Sequence, residues 1–195
     1  MSSIAIFVFP GVEELDFVGP WEVLRAWQKY WPDDGADVSL VAQEAGTVGC
    51  AKGMAVLPER TWRDVGPIDV LVYPGGEGTR PQLGDERIRA WLRNLHGGGT
   101  MVTSVCTGAL VLADAGLLDH RPATTHWASL DHLARLGSGI DVRAEARFVD
   151  SGEIVTASGV SAGIDMALHL VRRLHSEERA REVRRYIQYD PQPPV

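Results

Sequence analysis

Residues 96–118, "HGGGTMVTSVCTGALVLADAGLL", decide the fold because they pass from a turn through a strand into a helix. The triple glycine marks the turn, and Thr100–Val105 has the composition of a buried strand. Thr107–Ala115 then has an apolar helical pattern that Gly116 ends. A strand that leads directly into a helix is the repeating unit of α/β proteins with a parallel sheet.

The same alternation runs along the rest of the chain. Further strands are predicted at Ile4–Phe9, Val38–Ala42 and in "IDVLVYPGG" (residues 68–76), and further helices from Pro20 and over Asp85–His96, 158–175 and Glu177–Gln188. An irregular or hairpin-like segment is predicted at Val48–Leu57, a hairpin at Val142–Val149/Glu153–Thr156, and an extended tail at Tyr189–Val195. These βαβ units predict an α/β fold, with a mostly parallel central sheet flanked by helices. One domain is expected over residues 1–195.

Composition and charge exclude several classes of protein. The net charge of −7 argues against binding to nucleic acid, because neutralising phosphates requires a basic surface. The sequence contains no apolar run long enough to cross a membrane and no secretory signal pattern. Two cysteines, Cys50 and Cys106, do not form a disulfide framework. A cytoplasmic protein with both thiols reduced is therefore expected.

Cys106 is the strongest candidate for chemistry because it lies where a strand turns into a helix. Parallel sheets bind ligands at the carboxyl ends of their strands, and a helix N-terminus favours an anion. The thiol is therefore expected to have a depressed pKa and to be partly thiolate near neutral pH. Gly108 would allow a close approach or an unusual dihedral angle at this elbow. The alternative is that Cys106 is a small buried hydrophobic residue, which is also the interpretation of Cys50.

An acidic residue is expected at a neighbouring strand end. The predicted turn Gly11–Asp16 follows the first strand, and Asp16 stands between the apolar residues Leu15 and Phe17. Burial beside a thiolate would raise the pKa of Asp16, so that it stays protonated and donates a hydrogen bond to the sulfur. The pair would combine a nucleophile with a proton donor. The alternative role for Asp16 is a helix cap.

Two further positions have weaker signals. The glycines of "YPGGEG" expose backbone amides, and the amide of Gly76, together with one near Cys106 or Thr107, is a candidate for stabilising negative charge on a substrate. His126 is expected at a strand-to-helix junction, where a structural role is favoured over chemistry. The histidines lack the spacing of a metal site, so no metal is predicted.

Several stretches together resemble the DJ-1/PfpI superfamily, and the likeness covers nearly the whole chain. They are "FPGVEELDFVGPWEVL", "IDVLVYPGG", "TSVCTGALVLADAGLLDHRPATTHWA", "GVSAGIDMAL" and "QYDPQPP". The resemblance implies a flavodoxin-like α/β sandwich in which Cys106 matches the nucleophile and Asp16 the acid that contacts it. Thr107 matches the threonine of the isocyanide hydratases within this superfamily. The peptidases have histidine there, so Thr107 speaks against peptidase activity.

The resemblance to the hydratases implies that the protein converts an isocyanide and water into an N-substituted formamide. It implies a small-molecule isocyanide substrate, no metal or organic cofactor, and a homodimer. The alternative is a non-catalytic ligand-binding or redox-sensing module, because the sensor half of AraC-type regulators carries similar stretches. The chain has no length for the helix-turn-helix domain of those regulators, and it stops at Val195 where the hydratases continue.

Overall fold

The computed structural model describes residues 1–192, which are built around a seven-stranded sheet. The strands are β1 (Ser2–Val8), β2 (Ala36–Ala42), β3 (Val48–Gly49), β4 (Ala55–Val56), β5 (Arg60–Thr61), β6 (Val70–Tyr73), β7 (Met101–Val105), β8 (Pro122–Ala123), β9 (Asp141–Val142), β10 (Phe148–Asp150) and β11 (Ile154–Ala157). The sheet order is β10-β11-β7-β6-β1-β2-β5. Only the β10–β11 pair is antiparallel among these neighbours, which confirms the predicted, mostly parallel sheet.

Two groups of helices cover the sheet, which is why its central strands are largely apolar and buried. The helices are α1 (Glu14–Tyr30), α2 (Glu86–Gly97), α3 (Gly108–Asp114), α4 (Leu130–Leu136), α5 (Ala162–Leu174) and α6 (Glu177–Tyr186). Helix α1 packs on α5 and α6, while α3 packs on α2 and α4. None of the helices within residues 1–192 has the length and apolar character needed to span a membrane.

The first helix begins earlier than the sequence predicts. Pro20 was expected in the first turn, but α1 starts at Glu14 and Pro20 lies inside it. Proline lacks the amide that would bind the carbonyl of Asp16, so the helix tolerates it at the cost of one backbone bond. The ring of Pro20 packs against Gly163 of α5. Asp16 therefore lies in the first turn of α1 and not in a preceding loop.

Both predicted hairpins form, but one is shorter than expected. Strands β3 and β4 pair antiparallel within the predicted Val48–Leu57 segment. In the second hairpin the first strand begins at Phe148, not at Val142, because Val142 pairs in parallel with Ala123 of β8. The predicted tail forms no helix or strand from Tyr189 to Gln192, and its last residues, 193–195, lie outside the described part of the chain.

Side chains occupy the outer edge of β2 where β5 does not reach it. The amide of Val38 donates to Oε1 of Gln28 at 3.1 Å, and its carbonyl accepts from Nη1 of Arg25 at 2.9 Å. The amide of Leu40 donates to Oε2 of Glu59 at 2.8 Å. These side chains supply the hydrogen bonds that a neighbouring strand would otherwise make.

Candidate functional site

Cys106 lies on a strained elbow between β7 and α3. Its φ angle of 56° is in the left-handed region, which is uncommon for a residue other than glycine. The conformation is held by the amide of Cys106, which donates to the carbonyls of Ala157 and Ser158 at 3.1 and 2.8 Å. A Cβ atom at Gly108 would lie 2.2 Å from the carbonyl oxygen of Tyr73, so only glycine allows this close approach. The predicted elbow is thus present.

The thiol of Cys106 is almost buried, with 6% of the residue exposed. The backbone amides of Thr107 and Val160 interact with the sulfur in the direction that lowers the pKa of the thiol. Val160 itself has a φ angle of 42° in the glycine-rich turn before α5. On the other side, the hydroxyl of Thr125 donates to the carbonyl of Cys106 at 2.7 Å. The sulfur is therefore fixed in a pocket that already contains donors for negative charge.

Asp16 reaches the same point from the first turn of α1. The residue is completely buried, and the amide of Gly75 donates to its Oδ2 at 2.9 Å. Its other oxygen, Oδ1, has no hydrogen-bond partner within the described residues. The carboxyl interacts with the thiol of Cys106, as the sequence predicts. A buried carboxyl with a free oxygen can carry a proton and deliver it to a neighbouring atom.

Thr107 is held by the Pro-Gly-Gly turn that follows β6. The amide of Gly76 donates to Oγ1 of Thr107 at 2.9 Å, so this amide acts on the site through the threonine. Direct contact between Gly76 and a substrate stays a prediction. Oγ1 of Thr79, a completely buried residue, lies 3.2 Å from the same hydroxyl and donates to the carbonyl of Gly76 at 2.7 Å.

Burial controls the ionisation of the Asp16–Cys106 pair. Removal from water raises the pKa of Asp16 to about 7, although the amide of Gly75 opposes the shift. Removal from water and the neighbouring carboxylate raise the pKa of the Cys106 thiol to about 12. The two groups titrate as a unit, and between these two values they share one proton and one negative charge.

The high pKa of the thiol corrects the expectation of a depressed one. The amides of Thr107 and Val160 do lower the pKa of Cys106, but burial and the charge of Asp16 outweigh them. The sequence shows the helix N-terminus and does not show how little water reaches the sulfur. A reactive thiolate therefore forms only when the shared proton moves from the sulfur to Asp16. The raised pKa of Asp16 agrees with the prediction.

His126 lies at the predicted junction, where its Nδ1 accepts a hydrogen bond from the amide of Ala128 at 3.3 Å. Its ring also packs against the backbone of Gly159, where a Cβ atom would be 2.5 Å from Cδ2 of the histidine. These contacts support the structural role. Cys50 is partly buried in the turn between β3 and β4.

The model of the DJ-1/PfpI family matches residues 2–173. The chain belongs to the DJ-1/PfpI family. It is 38% identical over 192 residues to the isonitrile hydratase of Pseudomonas putida, covering 98% of this chain and 80% of the relative. It is 31% identical over 180 residues to the HTH-type transcriptional regulator CdhR of Pseudomonas aeruginosa, covering 90% of this chain and 52% of the regulator.

A solved structure of a ThiJ/PfpI family protein from Pseudomonas syringae superimposes with a TM-score of 0.89 at 33% identity. The comparison covers 100% of this chain and 77% of that one. The DJ-1/PfpI resemblance found in the sequence and its flavodoxin-like fold are thereby confirmed.

Two residues that contribute to the site of this DJ-1/PfpI protein, Thr79 and Val160, are not predicted from its sequence. Thr79 stands three residues after Gly76, and nothing in its surroundings marks it as buried. Val160 supplies an amide from the stretch "SGVSAG", which was predicted only as a turn leading into a helix. The glycines around Val160 were the available signal, since such turns expose successive amides.

Proposed function

We propose that this DJ-1/PfpI protein is an isocyanide hydratase, in which Cys106 is the nucleophile and Asp16 the proton donor and acceptor. The observation that carries the proposal is the buried Asp16 carboxyl, with one free oxygen, against a cysteine on a strained elbow. The similarity to a hydratase over 98% of the chain supports the choice of substrate. A small uncharged ligand also suits an acidic protein with an almost closed site.

The reaction begins when the shared proton moves from the sulfur of Cys106 to Asp16. The thiolate then attacks the terminal carbon of the isocyanide, and a carbon–sulfur bond forms. Asp16 protonates the same carbon, which gives a covalent thioimidate and leaves Asp16 as a carboxylate. The amides of Thr107 and Val160 favour the negatively charged form of the sulfur.

Water completes the reaction. The Asp16 carboxylate takes a proton from a water molecule that is oriented by the hydroxyl of Thr107, and the hydroxide adds to the thioimidate carbon. Asp16 passes that proton to the nitrogen. The tetrahedral intermediate then expels the sulfur as the carbonyl forms, and the hydroxyl proton returns to the Asp16–Cys106 pair. The products are the N-substituted formamide and the original enzyme.

The direct test is to incubate the purified, reduced protein with an alkyl or aryl isocyanide and to follow the formyl proton by NMR. Formation of the formamide with many turnovers per protein molecule is the expected result. Absence of turnover with several isocyanides, in protein whose Cys106 is shown by mass spectrometry to be reduced, would exclude the hydratase proposal.

Thr79 is expected to affect kcat by holding the hydroxyl of Thr107 in position. In the Thr79→Val variant the hydroxyl of Thr107 loses the hydroxyl of Thr79, 3.2 Å away, and is held only by Gly76, to whose carbonyl it donates at 3.2 Å. We expect kcat to fall about 5–10-fold, with little change in KM, because water is less well oriented. The Thr79→Ser variant should retain most of the activity, since it keeps the hydroxyl. If the Thr79→Val variant has the wild-type kcat, Thr79 does not position Thr107 for the reaction.

A second candidate function is a redox-sensing or ligand-binding module, which is supported by the similarity to the regulator CdhR. In this case a peroxide would oxidise Cys106 to a sulfenic acid, with cleavage of the O–O bond and release of water. Reversible oxidation of Cys106 without any consumption of isocyanide would favour this function over the hydratase.

The partners of the protein are also proposals. We propose a cytoplasmic homodimer that binds a small molecule and no nucleic acid. The similarity to a hydratase supports binding of a small molecule, and the net charge of −7 supports the absence of nucleic-acid binding. Light scattering coupled to size exclusion would measure the oligomeric state.

A further inference from the structure

The turn of the β3–β4 hairpin is docked onto the segment that leads into α1. The amide of Gly11 donates to the carbonyl of Gly49 at 2.8 Å, and the amide of Ala51 donates to the carbonyl of Val12 at 2.9 Å. The amide of Lys52 donates to Oε1 of Glu14 at 2.6 Å. Three backbone donors thus fix the hairpin beside the first turn of α1, which carries Asp16.

This docking brings an ion pair close to the buried carboxyl. The ammonium group of Lys52 contacts Oε1 of Glu13, the residue that precedes α1. The side chain of Glu13 is only 17% exposed, whereas that of Lys52 is 66% exposed. The amide of Glu13 donates to the carbonyl of Gly75 at 2.9 Å, and the amide of Gly75 donates to Asp16 at 2.9 Å. Gly75 therefore links the backbone of Glu13 directly to the reactive carboxyl.

We propose that Glu13 and Lys52 are positioning residues whose opposite charges set the pH range over which the Asp16–Cys106 pair is reactive. This inference rests on the proposed function. Neither side chain is required to touch the substrate, because both act on Asp16 through the electric field.

Two charged side chains act on Asp16, Glu13 before α1 and Lys52 on the hairpin, while the thiol of Cys106 on the elbow is a hydrogen-bond partner. The carboxylate of Glu14, at the start of α1, accepts hydrogen bonds from the amides of Lys52 and Met54. The acidic residue of the packed helix α5, Asp165, is bound by an arginine outside the site. Among these groups, Lys52 supplies the positive charge and Glu13 the second negative charge.

The two charges act on Asp16 in opposite directions. Glu13 raises the pKa of Asp16, and Lys52 lowers it. The reactive pair, with one proton shared between Asp16 and Cys106, forms as the first proton leaves. Removing Lys52 should therefore move the acid limb of the pH profile to higher pH, and removing the charge of Glu13 should move it to lower pH.

The test compares pH profiles of kcat/KM for isocyanide hydration in the wild type, Lys52→Met, Glu13→Gln and the double variant. We expect the acid limb to move up by about 0.5–1 pH unit in Lys52→Met, down by a similar amount in Glu13→Gln, and to lie between them in the double variant. Lys52→Arg should restore the wild-type profile. Lys29→Met is the matched control, because Lys29 is about 20 Å from Asp16 along α1 and the same charge is lost.

A second readout does not depend on the identity of the substrate. The rate of alkylation of Cys106 by iodoacetamide, measured against pH in a Cys50→Ser background, follows the same first deprotonation. If isocyanide is not turned over but the alkylation profiles shift as stated, the hydratase proposal fails and the charge pair stands. If Lys52→Met and Glu13→Gln both titrate like the wild type, or shift in the same direction, the role of the charge pair is overturned.

Discussion

Replacing Cys106 with alanine is expected to lower the rate of isocyanide hydration at least about 10³-fold, because the nucleophile that forms the covalent intermediate is lost. The backbone should tolerate the change, since the elbow is held by hydrogen bonds from the amide of Cys106 to the carbonyls of Ala157 and Ser158, which do not involve the sulfur. The measurement is formamide production by NMR, with circular dichroism to show that the variant is folded. Covalent trapping adds a second criterion: an intermediate attached to Cys106 should be seen by mass spectrometry after rapid acid quenching of the wild type.

The matched control for this variant is Cys50→Ala. Cys50 is the other thiol of the chain, and burial raises its pKa. It lies in the docked hairpin and has no part in the proposed reaction, so the variant should keep most of the wild-type turnover. Substantial formamide production by Cys106→Ala, or its loss in Cys50→Ala alone, would assign the chemistry to another group.

Replacing Asp16 with asparagine is expected to make the protein more stable and nearly inactive. Asparagine keeps an acceptor for the amide of Gly75 but cannot hold the transferable proton, so turnover should fall about 10²–10⁴-fold. Stability should rise because the buried carboxyl is costly to ionise. The ordinary pKa of 3.8 becomes about 7 in the folded protein, so the folded state binds more protons between these values.

The sign of the effect on stability follows from this difference. The free energy of unfolding of the wild type should fall as the pH rises from about 4 to about 7, and this part of the decline should disappear in Asp16→Asn. At pH 7 and above, the variant should gain about 2–4 kcal/mol, which urea unfolding at a series of pH values would measure.

Asp34→Asn provides a control of opposite sign. Arg179 and Trp27 bind the Asp34 carboxylate and hold its pKa below the ordinary range, so its loss should destabilise the protein at neutral pH. An Asp16→Asn variant that is less stable than the wild type at pH 8 would show that burial of this carboxylate is not costly.

The overall fold was predictable from the sequence because strand and helix patterns are local. The strand that ends at Val105, the elbow and the helix that follows are all encoded within residues 96–118. The start of α1 was not predictable in the same way, since proline is favoured in a first turn and its contact with Gly163 forms only when α1 packs on α5.

The residue types of the site were also visible in the sequence, whereas their energetics were not. The sequence places Asp16 and Cys106 at strand ends that meet in a parallel sheet. The pKa of the thiol depends on burial by elements far apart in the chain, including the turn that contains Val160. The amide of Gly76 is predicted to face a ligand, but it already donates to the side chain of Thr107, as the amide of Gly75 does to that of Asp16. Whether such an amide is free for a ligand or already bound to a side chain depends on the folded structure, in which the strand ends lie side by side.

The outer edge of β2 limits how copies of this protein can associate. An uncovered strand recruits strands from other molecules, which leads to continuous sheets and aggregation. Here Gln28, Arg25 and Glu59 have already taken up the backbone groups of Val38 and Leu40. Any stable self-assembly at this edge would first have to break those bonds. Growth of the sheet from molecule to molecule is therefore disfavoured along this part of β2.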